Sequence, residues 1–342
     1  MEEALHNFMA ELPWWMLLVV IAVSIAVLGK GADWVVGEAV VLSERSGIPK
    51  VVVGATVVSL GTTTPEAAVS VFAAMQGKPD LALSNAVGSI ICDTGLVLGV
   101  ACLISPLPLH GKIVLRQGFQ VITGVLLVVA CWPWTDPLSA FTAGGHLSQV
   151  WGFVFVVLLV WYLWRSVRWA RQDRSAVHLE EFEADASKPV PAVVAKLVFG
   201  LVLIVLAAQV LIPAVEVFAT LIGVPRAVIS ATLVAFGTSV PELVTAVTAA
   251  RRGHGDLALG NVIGADILNV LFVAGLSAAV TEAGLAVDPH FFRILFPGML
   301  LLLATFFVAI LKSGKELKRP LGFVLLAVYG LVTILNFVLR GP

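Results

Sequence analysis

Residues 47–99 read GIPKVVVGATVVSLGTTTPEAAVSVFAAMQGKPDLALSNAVGSIICDTGLVLG, and residues 223–275 read GVPRAVISATLVAFGTSVPELVTAVTAARRGHGDLALGNVIGADILNVLFVAG. The two segments align at a constant offset of 176 positions without a gap, and 23 of their 53 residues are identical. Apolar composition alone does not produce this match, because the identical positions include glycine, proline, asparagine and acidic residues. An internal duplication therefore organises the chain.

The composition predicts a helical protein embedded in a lipid bilayer. The 342 residues are 59% hydrophobic and 13% charged, and their mean hydropathy is +1.01. Soluble domains are about 45–50% apolar and about 25% charged, so soluble, disordered and disulfide-rich proteins are excluded. The 21 basic and 22 acidic side chains nearly cancel, which gives no support for nucleic-acid binding.

Ten segments are apolar enough to cross a bilayer, which takes about 20 residues as a helix. Basic loops stay on the cytoplasmic side, and with the N-terminus outside, 16 basic residues border the inner loops against four at the outer loops. We therefore predict an all-α polytopic protein of the cell (inner) membrane with both termini extracytoplasmic. The predicted spans are 14–36, 51–75, 81–104, 114–133, 148–168, 194–221, 226–250, 257–279, 291–311 and 320–339.

The duplicated segments begin at the second and seventh predicted spans, so five spans separate them. An odd separation means that the copies cross the membrane in opposite directions, which is an inverted-topology repeat with the substrate site at the midplane between the halves. The predicted units are a first five-helix repeat over residues 1–168, a cytoplasmic linker over 169–193 and a second five-helix repeat over 194–342. The linker is too short to form a separate ion-sensing domain.

Each copy places a glutamate about midway along an apolar span, Glu66 in LGTTTPEAAV and Glu242 in FGTSVPELVT. A charged side chain at the bilayer centre costs about 2.5–3.5 kcal/mol on insertion scales, and no cationic residue is close in the sequence. The repeated setting favours a functional role over two protonated glutamates that only hold helices together.

Oxygen donors surround each glutamate. Thr62 and Thr238 lie four residues before the glutamates and share their helix faces, and Thr63 and Ser239 add two more hydroxyls. A proline precedes each glutamate and leaves the carbonyl four residues earlier without a helical donor, so we expect unwound backbone whose carbonyls can coordinate sodium. Carboxylate, hydroxyl and carbonyl oxygens suit calcium or sodium and argue against zinc or copper.

The following spans supply a second set of polar groups. Ser89 and Asp93 lie four residues apart in VGSIICDTG, and their counterparts at the 176 offset are Ala265 and Asn269. Asp93 is thus another acid within the membrane, and Asp266 is a weaker candidate because its counterpart is an isoleucine.

Three further polar residues have more than one interpretation. Asn85 and Asn261 recur at the repeat offset and fit either ion ligands or helix-to-helix hydrogen bonds. Asp33, in the first span, fits either a functional acid or an interhelical partner, and the interhelical partner is favoured. The three cysteines have no close spacing and are interpreted as packing residues.

The paired motifs resemble the alpha-repeats of the cation/calcium exchanger superfamily, in particular the short prokaryotic members of its sodium/calcium exchanger branch. The resemblance lies in GTTTPE at 61–66 and GTSVPE at 237–242, followed by PDLALSNAVG at 79–88 and GDLALGNVIG at 255–264. It extends over nearly the whole chain. It implies ten helices, with the ion site between spans two, three, seven and eight and with spans one and six sliding across that core.

The resemblance implies a secondary-active antiporter that exports calcium in exchange for sodium by alternating access. The chain departs from the family pattern in two ways: Asp93 and Asn269 are reversed between the repeats, and Ala265 replaces a serine. A proton-coupled antiporter of calcium or another divalent cation, using the same carboxylates, therefore stays open. The implied metal ligands are Thr62, Thr63, Glu66, Ser89, Asp93, Thr238, Ser239, Glu242 and Asn269, with the backbone carbonyls of Ser59 and Ala235 as sodium ligands.

The sequence does not support an enzyme. An intramembrane serine or metal protease needs a histidine within a span, and all six histidines fall in predicted loops or near span ends. A passive channel would not need two inverted halves. We expect the lipid bilayer and the transported cations (calcium, with sodium or protons) as partners, and no cofactor, nucleic acid or obligatory protein partner.

Overall fold

The computed structural model describes residues 2–109, 113–172, 189–222 and 239–339. The helices in this part of the chain are α1 (Glu2–Ala10), α2 (Trp14–Ser46), α3 (50–75), α4 (79–104), α5 (Ile113–Cys131), α6 (Gln149–Gln172), α7 (Val190–Leu221), α8 (Val240–Arg251), α9 (255–279), α10 (291–312) and α11 (Arg319–Leu339). A 3₁₀ turn covers Pro137–Phe141, and the strands are β1 (Leu107–Pro108), β2 (Gly145–Leu147), β3 (Leu285–Val287) and β4 (Glu316–Leu317).

Eight of the described helices are long and apolar enough to cross a membrane: α2, α4, α5, α6, α7, α9, α10 and α11. The other two predicted spans correspond to α3 and α8. Helix α3 carries the polar GTTTPE motif in its middle, and the first part of the span predicted at 226–250 lies outside the described residues. The prediction of an all-helical polytopic membrane protein is confirmed.

Helix α2 continues ten residues past the predicted end of the first span, residue 36, to Ser46. Two acids in this second half of the helix have basic partners. Lys196 of α7 donates to the buried Glu38, and Arg252, just after α8, donates to Asp33 at 2.6 Å. The interhelical interpretation of Asp33 is confirmed, and the helix is longer than its apolar segment alone indicates.

Four of the described helices contain a π-helical turn, in which one extra residue widens the helix. The turns are Gly54–Val58 in α3, Asp93–Val97 in α4, Asn269–Ala274 in α9 and Phe291–Leu295 in α10. Two of these turns begin at positions that are 176 residues apart, Asp93 and Asn269. The duplication therefore extends to a backbone irregularity of a kind that occurs frequently at functional sites.

Helix α9 is almost entirely buried and touches α3 backbone to backbone. A Cβ atom on Gly260 would lie 2.2 Å from the carbonyl oxygen of Val51, and one on Gly54 would lie 2.5 Å from that of Leu257. Such distances leave no room for a side chain. The two helices come from opposite halves of the chain, so glycines set the separation of the halves at this contact.

Two short antiparallel strand pairs also join the halves. Strand β1, after α4, pairs with β4, after α10, and β2, after α5, pairs with β3, after α9. Because α4 and α5 are successive spans, the two pairs lie at opposite ends of the helical bundle. Each pair brings together two loops that the ten-span topology places on the same side of the membrane.

The turn between α8 and α9 carries a half-buried histidine, His254, which faces the other half of the chain. Its Nδ1 atom lies 3.4 Å from the Nζ atom of Lys50, at the start of α3. An ammonium group donates a hydrogen bond only to an unprotonated ring nitrogen. Burial first, and then the positive charge of Lys50, lowers the pKa of His254 below its ordinary value. Folding therefore disfavours protonation of the His254 ring.

We expect the substitution His254→Gln to reduce the acid sensitivity of folding stability. The unfolded chain binds this proton near pH ~6.5, whereas the folded chain binds it only at lower pH, so wild-type stability falls as the pH drops through that window. The thermal unfolding temperature of the variant should therefore change less between about pH 7.5 and about pH 5.5. His146→Gln, at the exposed position of strand β2, is the control, and a wild-type slope in the His254 variant would contradict this explanation.

Candidate functional site

The predicted ligands that the structure describes all lie in the buried centre of the protein, on α3, α4, α8 and α9 and on the residue that precedes α8. Thr238 and Ala235 fall outside the described residues. Each of the others is at most 1% exposed, which is unusual for polar side chains. These residues are Ser59, Thr62, Thr63, Glu66, Ser89, Asp93, Ser239, Glu242 and Asn269.

Within the first repeat, Glu66 of α3 and Ser89 of α4 are in contact. The Ser89 hydroxyl donates to Glu66 Oε1 at 2.8 Å, and one turn earlier on α4 the Asn85 amide donates to Ser70 Oγ at 2.9 Å. Asn261 of α9 makes the equivalent contact with Thr245 of α8, at 3.4 Å. Both asparagines thus link neighbouring helices, which is one of the two interpretations that the sequence left open.

Hydroxyl groups of the first repeat also lie next to the motif glutamate of the second repeat. The hydroxyls of Thr62 and Thr63, on α3, lie against the Glu242 carboxylate of α8. The Thr62 hydroxyl also donates to the carbonyls of Val58 and Ser59 in the preceding turn, at 3.3 and 3.2 Å. The motif of one half therefore supplies oxygen atoms next to the glutamate of the other half.

Asp93 lies where the acidic groups of the two halves converge. Its carboxylate is within electrostatic reach of both Glu66 and Glu242, and the Ser239 hydroxyl lies beside it. Neither Asp93 oxygen accepts a hydrogen bond from the described residues. A buried carboxylate without a donor is costly unless a metal cation or a proton neutralises it, so this centre is suited to hold a positive charge.

The two motif glutamates are not equivalent. Glu66 lies in the interior of α3, whereas Glu242 is the third residue of α8 and therefore sits in its first turn. The N-terminal turn of a helix carries partial positive charge from unsatisfied N–H groups. The backbone thus stabilises a negative charge on Glu242, and no such effect acts on Glu66.

Asn269 occupies the position that corresponds to Asp93. It begins the π-helical turn of α9, and this turn packs on the Ser59–Met75 and Pro79–Cys92 parts of α3 and α4. Its amide oxygen and nitrogen have no hydrogen-bond partner among the described residues. The widened turns of α4 and α9 thus each begin with a buried, unpartnered polar side chain.

The expected unwinding before Glu66 is wrong. Helix α3 is continuous from Ser59 through Pro65 to Met75, and its irregular turn is Gly54–Val58, one turn earlier. A proline removes a single hydrogen bond, which the remaining helix tolerates. The equivalent backbone before Glu242 lies outside the described residues.

Acidic side chains alone do not form a metal cage here. In the described ranges, no three histidine, cysteine, aspartate or glutamate side chains are grouped closely enough to hold a metal ion. Hydroxyl, amide and carbonyl oxygens must therefore complete any coordination sphere, as hard cations such as sodium and calcium allow. Unpartnered oxygen atoms at Thr63, Ser239 and Glu242 are available for this.

Sequence reasoning missed a polar face on α5. Arg116, Gln117, Gln120 and Thr123 are all buried, and Gln120 donates to Asp266 of α9. Asp266, the weaker candidate, is thus part of a buried hydrogen-bond network. The signal was present as polar residues at helical spacing inside the predicted span 114–133, since residues four apart share a face.

The amino-acid sequence is similar to a known protein family and to several of its relatives. The model of the sodium/calcium exchanger protein family matches residues 16–168 and 192–338. The chain is 29% identical over 336 residues to the sodium/calcium exchanger MaX1 of Methanosarcina acetivorans, which covers 91% of this chain and 95% of that protein. It is 33% identical over 303 residues to the inner membrane protein YrbG of Escherichia coli, which covers 86% of this chain and 88% of that protein.

Solved structures share the fold. The sodium-calcium exchanger NCX_Mj soaked with 10 mM Na⁺ and zero Ca²⁺ superposes with a TM-score of 0.78 at 24% identity, over 94% of this chain and 99% of that one. The same exchanger soaked with 2.5 mM Na⁺ and 0.1 mM Sr²⁺ gives a TM-score of 0.76. The helical architecture described above is therefore that of a known exchanger.

Proposed function

The chain belongs to the sodium/calcium exchanger protein family, and from that premise we propose that it exports calcium across the cytoplasmic membrane in exchange for sodium. It is a multi-pass membrane cation antiporter and not an enzyme. The choice of calcium and sodium as the exchanged ions is the proposal. The names of MaX1 and NCX_Mj, both sodium/calcium exchangers, support it.

The observation that carries the proposal is the convergence of acids from both halves. Asp93 is within electrostatic reach of Glu66 and Glu242, while Thr62 and Thr63 of the first half lie against Glu242 of the second. A divalent cation that binds between two carboxylates is balanced in charge, and hydroxyl oxygens complete its shell.

We assign each residue a role in ion binding. The glutamates bind calcium and, in exchange, sodium, and the hydroxyl and amide groups fill the remaining coordination positions. The carbonyls of Ser59 and Ala235 are assigned to sodium. The side chains assigned as ligands are Thr62, Thr63, Glu66, Ser89, Asp93, Thr238, Ser239, Glu242 and Asn269.

Exchange follows if both ions need the same carboxylates, because one ion must then leave before the other binds. We propose that α2 and α7 slide across this centre and expose it alternately to the two sides of the membrane. Gly61, in the GTTTPE motif, supports this assignment. A Cβ atom there would lie 2.3 Å from Leu201 Cδ1 of α7, so the glycine lets α7 lie directly on the ion-binding helix.

The membrane orientation is part of the proposal. We place both termini outside the cytoplasm, because basic residues concentrate on the opposite side. The units are a first repeat over 1–168, a cytoplasmic linker over 169–193 and a second repeat over 194–342. The inner-membrane location follows that of YrbG, an inner membrane protein.

Reconstituted transport tests the ion pair. The purified protein is placed in liposomes, and uptake of labelled calcium is followed under an outward sodium gradient, an outward proton gradient, or neither. Of these three conditions, we expect only the outward sodium gradient to drive calcium uptake against a calcium gradient. Uptake driven only by protons would replace the proposal with proton-coupled exchange, and flux with no exchangeable counter-ion would indicate a channel.

A further inference from the structure

A buried acid beside the proposed calcium site has its own set of contacts. Asp266, on α9, accepts a hydrogen bond from Thr94 Oγ1 at 2.5 Å, and Gln120 Nε2 of α5 donates to the same oxygen, Oδ2. All three side chains are at most 1% exposed. The second oxygen of Asp266 and the amide oxygen of Gln120 have no hydrogen-bond partner among the described residues.

Two of these residues break the internal repeat. At the offset of 176 positions, Asp266 corresponds to Ile90 and Thr94 to Val270, and Gln120 lies outside the aligned segments. Both network residues within the repeat thus have apolar counterparts. The network belongs to one side of the site only, and it reaches α5, which lies outside the four helices of the proposed calcium site.

A purely structural role does not require a charge at this position. An asparagine would offer an acceptor oxygen to both Thr94 and Gln120, and burying a neutral amide costs far less than burying a carboxylate. The electrostatic neighbours of Asp266 include two more acids, Glu242 and Asp93. The carboxylate is therefore placed among other acids, where a bound cation would balance its charge.

The chemistry at this position fits a hard monovalent cation. A divalent ion held by Glu66 and Glu242 balances those two charges and leaves Asp93 and Asp266. A second divalent ion so close to the first would be strongly repelled in a medium of low dielectric constant. Carboxylate, hydroxyl and amide oxygens are ligands for hard cations, and the unpartnered oxygens belong to Asp93, Asp266 and Gln120.

We propose that Asp266, Gln120 and Thr94, together with Asp93, form a sodium subsite beside the calcium site. The subsite rests on the proposed function, because it adds a sodium position to the exchange cycle. It assigns a role to α5 and to an acid outside the two repeat motifs. The carboxylate supplies the charge, Gln120 supplies an amide oxygen, and Thr94 orients the carboxylate.

The test measures ion binding in the purified, full-length protein, without transport. Thermal unfolding is followed while sodium chloride replaces choline chloride, and separately during a calcium titration. In Asp266→Asn the sodium concentration for half-maximal stabilisation should rise by about tenfold or more, while the calcium titration stays close to that of the wild type. Asp136→Asn, in an exposed loop, is the matched control and should leave both titrations unchanged.

The two titrations distinguish a sodium subsite from a purely structural role of Asp266. An unchanged sodium titration in Asp266→Asn, equal losses for both ions, or no stabilisation of the wild type by sodium would each overturn the subsite. If Asp266→Asn does not fold, Gln120→Met keeps the carboxylate and should weaken sodium binding in the same selective way. The transport assay is separate from these binding titrations. Failure of sodium-driven calcium uptake in liposomes would refute the proposed exchange, whatever the titrations show.

Discussion

Substituting glutamine for Glu66 or for Glu242 should abolish calcium uptake while the protein remains folded. Glutamine has nearly the same shape as glutamate but lacks the charge that balances a cation in the buried centre. Loss of residues that only support metal ligands costs about 10–100-fold, so loss of an assigned ligand should reduce exchange by at least about 100-fold. The measurement is sodium-driven uptake of labelled calcium in liposomes.

The folded state of each variant is checked by its thermal unfolding in detergent. Removing a buried charge lowers the desolvation cost, so each variant should unfold at the wild-type temperature or above when no ions are present. Glu282→Gln, in the exposed loop after α9, removes the same charge away from the site and should exchange normally. Wild-type flux in either Glu66→Gln or Glu242→Gln would refute the assignment of the site.

A second large effect is expected from the substitution Gly260→Ala in α9. Its new Cβ atom would lie 2.2 Å from the carbonyl oxygen of Val51 and 2.9 Å from the Val51 Cα atom. Both are backbone atoms, so no side chain can rotate away, and α3 must shift relative to α9. Overpacking of this kind typically costs about 1–3 kcal/mol, and we expect a lower thermal unfolding temperature.

The control for this prediction is Gly330→Ala in α11. No heavy atom of the described residues lies within 4 Å of a Cβ atom at that position. Alanine favours a helix by about 1 kcal/mol over glycine, so the control should be neutral or more stable. Opposite signs for the two variants are the expected result, and equal stability would show that the α3–α9 contact is looser than the structure indicates.

The repeat explains why so much of the site could be predicted from the sequence. Glu66 and Glu242 stand out because a duplicated motif carries an acid through two apolar spans, and Asp93 follows from its position relative to Ser89. Each of these signals is present in the amino-acid sequence itself and is independent of the packing between helices. The structure brings these acids into one centre, although their roles in ion binding remain proposals.

The contact between Asp266 and Gln120 could not be predicted from the sequence in the same way. Asp266 has an apolar counterpart in the other repeat, Gln120 lies outside the aligned segments, and their contact depends on how closely α5 approaches α9. That approach is a result of tertiary packing, which the hydropathy of a span does not encode. The full length of α2 is likewise not evident from its apolar segment, and Lys196 and Arg252 become partners of its acids only after folding.

The strand pairs at the two ends of the bundle bear on the proposed movement of helices. The pairs join the loops after α4 and α5 to loops of the opposite half. In the described part of the chain, α2 and α7 border no strand, and they pack extensively on one another. Sliding of α2 and α7, as proposed above, would therefore leave both strand pairs intact, and the surrounding membrane would have to accommodate the displacement.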